Sequence, residues 1–244
     1  MKNKIIITAG GTSEKIDNVR KITNSSSGKL GLTIANKILD LKRERIDKIY
    51  YIAPKSALKP DDELVELINI VDTNDLKEKV EELLKKEKID YFIHSMAVSD
   101  YTVDFVTNAR TIVDNIKANK DKDLYDVIVD GSKAIRDTKI SSYEDDLFIK
   151  LKRTPKIISI IKNLSPETFL VGFKLLDGVT KEELIDVATK LKEKNKCDLV
   201  VANDLAKIRS GNHLAYIIGN DTYIEASGKE DIAEKLVNEM IKND

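Results

Sequence analysis

Five short runs of this 244-residue chain carry apolar side chains at successive rather than alternate positions. They are KIIITA (4–9), KIYYIA (48–53), YFIHSMAV (91–98), FLVGF (169–173) and DLVVAN (198–203). A strand with one wetted face alternates apolar and polar residues, whereas a strand apolar on both faces belongs inside a parallel sheet covered by helices. Amphipathic segments at 28–43, 73–88, 154–164 and 180–196 separate the runs, and a last one follows at 228–242. Thr180 and Glu183 stand at capping-box spacing, the hydroxyl and carboxylate serving the first free N–H groups of a helix. Strand–helix alternation of this kind predicts a doubly wound, mainly parallel α/β sheet, Rossmann-like and three-layered. LAYIIGNDTYIEA (214–226) sets Gly-Asn-Asp between two alternating runs and predicts an antiparallel hairpin. Residues 101–150 break the pattern: they are polar and irregular, with room for one or two helices before DLFIKL. They read as an insertion or flap inside a single domain spanning 1–244.

Charge and cysteine content narrow the function classes. The 41 basic and 42 acidic side chains leave a net charge of −1, so nothing advertises a nucleic-acid or anionic-membrane partner. One cysteine, Cys197, excludes a disulfide framework and suits a reducing cytoplasm. The apolar run at the N-terminus is short enough to be a first strand, and no stretch approaches the about 18 apolar residues of a membrane span.

Familiar motifs fail on spacing. TAGGTSEK has adjacent glycines, not the G-x-G-x-x-G of a dinucleotide fingerprint, which argues against a nicotinamide-dependent oxidoreductase. SSSGKL resembles the end of a phosphate-binding Walker loop, but position 23 is Thr and Leu30 stands where the metal-binding hydroxyl belongs. Tyr51 and Lys55 have the Tyr-x-x-x-Lys spacing of a dehydrogenase pair, yet Pro54 keeps them off one helix face. His94 and His213 have no carboxylate spaced for a metal, and His94 and Cys197 read as core residues. What remains is a set of polar groups at strand ends. Thr8, Gly10, Gly11 and Thr12 leave the first strand, while Gly28, Lys29 and Gly31 open a helix whose N–H groups attract anions. AVSDY (97–101), VGFK (171–174) and VAND (201–204) close three further strands, with Gly172 placed to admit a flat ring. Ligands of doubly wound sheets sit at such an edge, which points to a nucleotide or a phosphorylated substrate.

The order of IIITAGGTSEKIDNVRKITNSSSGKLG, AVSDY, KIS, LKRTPKII, VGF and DLVVAND resembles phosphopantothenoylcysteine synthetase over about residues 4–225. That resemblance implies a cytoplasmic ligase of coenzyme A biosynthesis joining 4′-phosphopantothenate to L-cysteine with CTP and Mg2+, through an acyl-cytidylate, without a tightly bound organic cofactor. It implies a homodimer formed through an antiparallel extension of the main sheet. It also implies a free-standing form served by a separate decarboxylase. Asn24 matches the asparagine that holds the acyl intermediate, and Lys139 the lysine of the nucleotide-activation step. Arg20 matches a substrate-binding arginine, with Ser26, Ser27, Gly28 and Lys29 beside it. Gly10, Gly11, Thr12, Ala97, Asp100, Gly172, Phe173, Asn203 and Asp204 match the nucleotide-lining segments, and Asp100 is the candidate for Mg2+. Where fused bacterial forms have K-x-K-K this chain has Lys-Ile-Ser-Ser (139–142), and the stretch 102–138 is an insertion. The alternatives are an ATP-dependent ligase of the same kind and a non-catalytic nucleotide-binding regulatory subunit.

Overall fold

The computed structural model describes residues 2–131, 134–135, 139–220 and 222–241. Its first half contains β1 (Asn3–Thr8), β2 (Ser13–Lys15), β3 (Lys21–Thr23), α1 (Lys29–Lys42), β4 (Ile46–Ala53), β5 (Val65–Asn69), α2 (Thr73–Lys86) and β6 (Tyr91–His94). Then follow β7 (Tyr101–Asn108), α3 (Ala109–Ala118), α4 (Leu124–Val129), β8 (Leu147–Arg153), α5 (Ile157–Leu164) and β9 (Phe169–Leu176). The chain closes with α6 (Lys181–Asn195), β10 (Leu199–Asp204), α7 (Leu205–Arg209), β11 (Leu214–Ile218), β12 (Tyr223–Ser227) and α8 (Gly228–Met240).

Eight strands form one sheet in the order β12-β11-β10-β9-β6-β1-β4-β5. The six from β10 to β5 are parallel, and β11 and β12 add the expected antiparallel hairpin at one edge. The expected turn includes Asp221, which lies outside the described residues, as do Ser132, Lys133 and residues 136–138 of the expected insertion and Lys242 of the expected last helix. The doubly wound α/β fold is therefore the one the apolar runs predict. Helices α1 and α8 pack together over Ile5, Ile7, Ile49 and Tyr51. On the other face α2, α5 and α6 cover Ile6, Phe92, Leu170 and Val200. Each such side chain, at or near complete burial, contributes roughly 2 kcal/mol by leaving water. Local signals set the boundaries. Asp72 caps α2 by accepting from the N–H groups of Asn74 and Asp75, and Thr180 caps α6 by accepting from Glu183 N–H.

Several elements differ from expectation. The run 91–98 ends as a strand at His94, because Ser95 turns to donate its hydroxyl to the Thr8 carbonyl at 2.7 Å. Helix α5 begins at Ile157 rather than 154, since Thr154 hydrogen-bonds both Asp100 and Ser99 ahead of Pro155, and a residue before proline disfavours helix. Strand β7 lies inside the stretch read as irregular. It pairs with β8 as a two-stranded antiparallel ribbon separate from the main sheet, with α3 and α4 between them in sequence.

From β1 the sheet grows outward through β4 to β5, and the chain then crosses back to β6 on the other side of β1. The carboxyl ends of β1 and β6 therefore flank the switch point, where doubly wound folds leave a crevice.

Candidate active site

The crevice is framed by main chain. Ala97 donates its N–H to the Gly10 carbonyl at 2.8 Å and accepts from Thr12 N–H at 3.2 Å, while Asn24 donates to the Thr12 carbonyl at 3.1 Å. These bonds tie the loops after β1, β3 and β6 into one unit. A side chain at Gly11 would put its Cβ 1.7 Å from the Asn24 carbonyl oxygen, so the second glycine of the pair exists for this approach. Gly10 sits at φ +84° beneath Pro54 and Ala57. Thr12 is fully buried, and its hydroxyl accepts from Ser99 N–H at 2.9 Å and from Thr73 at 3.4 Å. Gly10, Thr12 and Ala97, expected to touch nucleotide, hold the frame through the Gly10 carbonyl, both Thr12 peptide groups and both Ala97 peptide groups, and Gly11 allows the close approach of Asn24.

Asn24 is half-buried, and its amide Nδ2 donates to the Val98 carbonyl at 3.1 Å. A carbonyl only accepts, so this contact fixes which way the amide points. Beyond Asn24 the residues Ser25–Ser27 are exposed. Ser26 and Ser27 accept long hydrogen bonds from the N–H groups of Gly28 (3.4 Å) and Lys29 (3.3 Å). Gly28 turns the chain at φ +73° into the 14-residue α1 and, as a glycine, brings no side chain to cap the helix's first N–H groups. The positive end of that helix and exposed Lys29 therefore face solvent beside Asn24.

A second device links this loop to the far side of the insertion. Asp17 accepts from the N–H groups of Val19 and Arg20 through Oδ1, and from the Arg20 guanidinium through Oδ2 at 2.7 and 3.0 Å. Arg20 also donates to the Ile140 carbonyl at 2.7 Å, and Ile140 N–H donates back to Asp17 at 3.1 Å. The Arg20 hydrogen bond holds the Asp17 carboxyl well below the usual carboxylate range. Arg20, expected to bind substrate, is in this structure the clamp that seats exposed Lys139, next to Ile140, at the β2–β3 hairpin.

Asp100 and Phe173 meet in a cleft of about 430 Å3 floored by Met96, Val98 and Ile158. Val98 is the residue whose carbonyl holds Asn24, so the cleft and the Asn24 loop share a wall. Asp100 is exposed and paired with Lys156. Among the described residues no cluster of three or more His, Cys, Asp or Glu side chains is arranged for a metal. One accessible carboxylate is nevertheless what Mg2+ ordinarily takes from a protein when a polyphosphate supplies its other oxygens, and Asp100 fits that limited demand.

Three expected nucleotide contacts have partners within the fold. Gly172 lies inside β9, and a Cβ there would meet Ile158 at 3.1 Å and Cys197 at 3.3 Å. The space it leaves is filled by the packing of α5 and Cys197, not by a ring. Asp204 is buried and accepts the N–H groups of Gly178 and Ala206, both at 2.9 Å, which lowers its pKa, the Gly178 bond first. It caps α7 and anchors the loop after β9. Asn203 is buried with its Oδ1 3.0 Å from His213 Nε2. Neither lines the cleft with Asp100 and Phe173. Sequence reading passed over Asp17 and Lys156, although both lie in quoted stretches, DNVR and LKRTPK; only the fold reveals what they pair with.

Comparison with known proteins bears on the whole chain. Residues 1–127 and 131–243 match the DNA/pantothenate metabolism flavoprotein C-terminal domain. The coenzyme A biosynthesis bifunctional protein CoaBC of Thermococcus kodakarensis is 34% identical over 242 residues, covering 98% of this chain and 51% of that protein. Its counterpart in Methanocaldococcus jannaschii is 28% identical over 250 residues, with coverage of 98% and 51%. The chain thus spans about half the length of these curated relatives. The crystal structure of the DNA/pantothenate metabolism flavoprotein from Streptococcus pneumoniae superimposes with a TM-score of 0.83 at 36% identity, covering 98% of both chains.

Proposed function

This chain belongs to the DNA/pantothenate metabolism flavoprotein C-terminal domain family, and from that membership we propose that it is the phosphopantothenate–cysteine ligase of coenzyme A biosynthesis, using CTP. The observation that carries the reading is the joining of the two half-sites through Val98. Its carbonyl orients the Asn24 amide, and the same residue lines the cleft that holds Asp100 and Phe173.

The chemistry requires two different tools. A carboxylate cannot acylate an amine directly, because oxide would have to leave. In the first step a carboxylate oxygen of 4′-phosphopantothenate forms a bond to the α-phosphorus of the nucleotide, and the bond to the bridging oxygen breaks to release pyrophosphate. Lys139 and Lys29 balance the approach of two polyanions, and the free N–H groups of α1 take the pantothenate phosphate. Asp100 would hold Mg2+, which supplies charge neutralisation on the phosphates when bound. In the second step the cysteine amine attacks the acyl carbon, the C–O bond to CMP breaks, and the amine's proton leaves to solvent. Asn24 donates to the oxygen on which negative charge develops, and an amide does so without competing as a nucleophile.

The product is an N-acyl cysteine, and a decarboxylase acts on it next, whether on this polypeptide or another. The β7–β8 ribbon supports a homodimer. Ile149 and Leu151 are exposed on one side of it, and apolar side chains on a free ribbon call for a partner surface.

The test is to incubate the protein with 4′-phosphopantothenate and Mg2+, with CTP or ATP and with or without cysteine. Pyrophosphate and inorganic phosphate are then assayed separately. Pyrophosphate that turns over with CTP only when cysteine is present supports the reading. Inorganic phosphate would replace it with an acyl-phosphate route, and preference for ATP would change the nucleotide.

A further inference from the structure

His94 ends β6 at the switch point, and only 9% of it is exposed. Its Nδ1 lies 2.8 Å from the hydroxyl of Thr8, which is itself fully buried. Among the described residues the Thr8 hydroxyl has no other hydrogen-bond partner. If Nδ1 carried the proton, the Thr8 hydrogen would be stranded in the core, at the cost of an unmade hydrogen bond. The network therefore assigns Nδ1 as acceptor and puts the ring proton on Nε2.

Nε2 has no hydrogen bond among the described residues, yet it is not sealed. The only fully enclosed side-chain polar atom without a partner among those residues is His213 Nδ1. His94 lines the cleft, so its remaining surface opens there. The hydroxyls nearby are already used: Ser99 donates to the Tyr101 carbonyl at 2.6 Å and Thr154 to the Ser99 carbonyl at 2.5 Å. Asp100 and Lys156 pair with each other. Within the cleft, whose lining mixes polar and apolar residues, Nε2–H is a donor without a partner among the described residues. Burial also keeps the ring neutral, with its pKa lowered to about 4, so it offers one directed hydrogen bond rather than a charge.

We propose that His94 is a specificity-determining residue that reads the nucleotide base, donating from Nε2 to a ring carbonyl and so favouring a pyrimidine over adenine. Cytosine and uracil carry a C2 carbonyl oxygen that stands out from the ring edge; adenine's acceptors are nitrogens set within its ring edge, so the larger base would have to shift to meet the same donor. The inference rests on the nucleotide-dependent ligase reading above. It predicts that His94 discriminates CTP from ATP and does not by itself discriminate CTP from UTP.

Two measurements test it. The first compares kcat/KM for CTP and for ATP in the wild type and in His94→Phe and His94→Gln. Loss of one neutral hydrogen bond should lower the CTP-to-ATP ratio about tenfold in His94→Phe, with KM for 4′-phosphopantothenate unchanged. His94→Gln, which keeps an N–H donor, should lie between. The second needs no variant. The chain has only two histidines, so in protein labelled with 15N-histidine the Nε2 resonance of His94 should move on saturation with CTP while that of His213 stays. An unchanged ratio, or a His94 resonance indifferent to bound CTP, overturns the assignment and leaves the ligase standing. A wild type that releases no pyrophosphate with any nucleotide overturns the ligase reading, and this inference with it.

Discussion

Asp17 and Ile140, 123 residues apart, are joined by a hydrogen bond that Arg20 reinforces. The Asp17 carboxylate accepts the Ile140 N–H at 3.1 Å and also grips the Arg20 guanidinium, which donates to the Ile140 carbonyl. The insertion thereby returns Lys139 to the hairpin that leads into Asn24.

Asp17→Ala should release that clamp. Misplacing a catalytic group by about 1 Å costs on the order of 10²-fold in rate. The expected result is a fall of that size in pyrophosphate release, with little change in CTP affinity. Stopped-flow pyrophosphate detection beside a calorimetric titration with CTP separates the two.

Lys139→Gln and Asn24→Ala should fail at different steps. The lysine variant should lose pyrophosphate release itself. The asparagine variant should give a single burst of pyrophosphate and then stall, its amide formation reduced about 10²–10³-fold. Rapid-quench analysis would disprove the division of labour if both variants lost the burst equally.

Gly11→Ala should destabilise the chain by more than about 3 kcal/mol, because the new Cβ meets the Asn24 carbonyl oxygen at 1.7 Å and main chain must move. Gly219→Ala is the control, since its Cβ would find only ordinary contacts at 3.6 and 3.8 Å. Urea unfolding of the two variants makes the comparison.

The shape of the sheet was readable from residue order, because strands buried on both faces cannot disguise their composition. The elements that escaped were those with a wet face. β5 is exposed at Glu66, Leu67 and Asn69, and β7 pairs only within a ribbon, so neither has a continuous apolar run. The site was legible as a set of residue types, and the fold adds contacts within the chain to several of them. Thr12, Asp204 and Arg20 have the right chemistry for ligands and spend it on neighbouring chain. His94 shows the reverse. An isolated histidine in an apolar run reads as core, and only its contact with Thr8 separates the nitrogen that is used from the one that is not.

Acid should act through that same ring. With a folded-state pKa of about 4 against 6.5 for the free side chain, the unfolded chain binds a proton that the native chain refuses between those values. The stabilisation is fully present above pH 6.5 and is lost as pH falls toward 4, by about 3 kcal/mol from this group. Proton NMR titration should find the His94 ring neutral at pH 5. A midpoint near 6.5 would contradict the burial account.

The hydrogen bonds among Gly10, Thr12, Asn24 and Ala97 run between peptide groups, and this divides the crevice into two materials. One is a frame whose dimensions are set mainly by peptide-to-peptide hydrogen bonds and by the absence of a side chain at Gly11. The other is a lining of His94, Met96, Phe173 and Lys156 that can be exchanged residue by residue. On the proposed ligase reading, selection for a different base would leave its mark on the lining, while the spacing between the Asn24 loop and the cleft stayed fixed as a property of the scaffold.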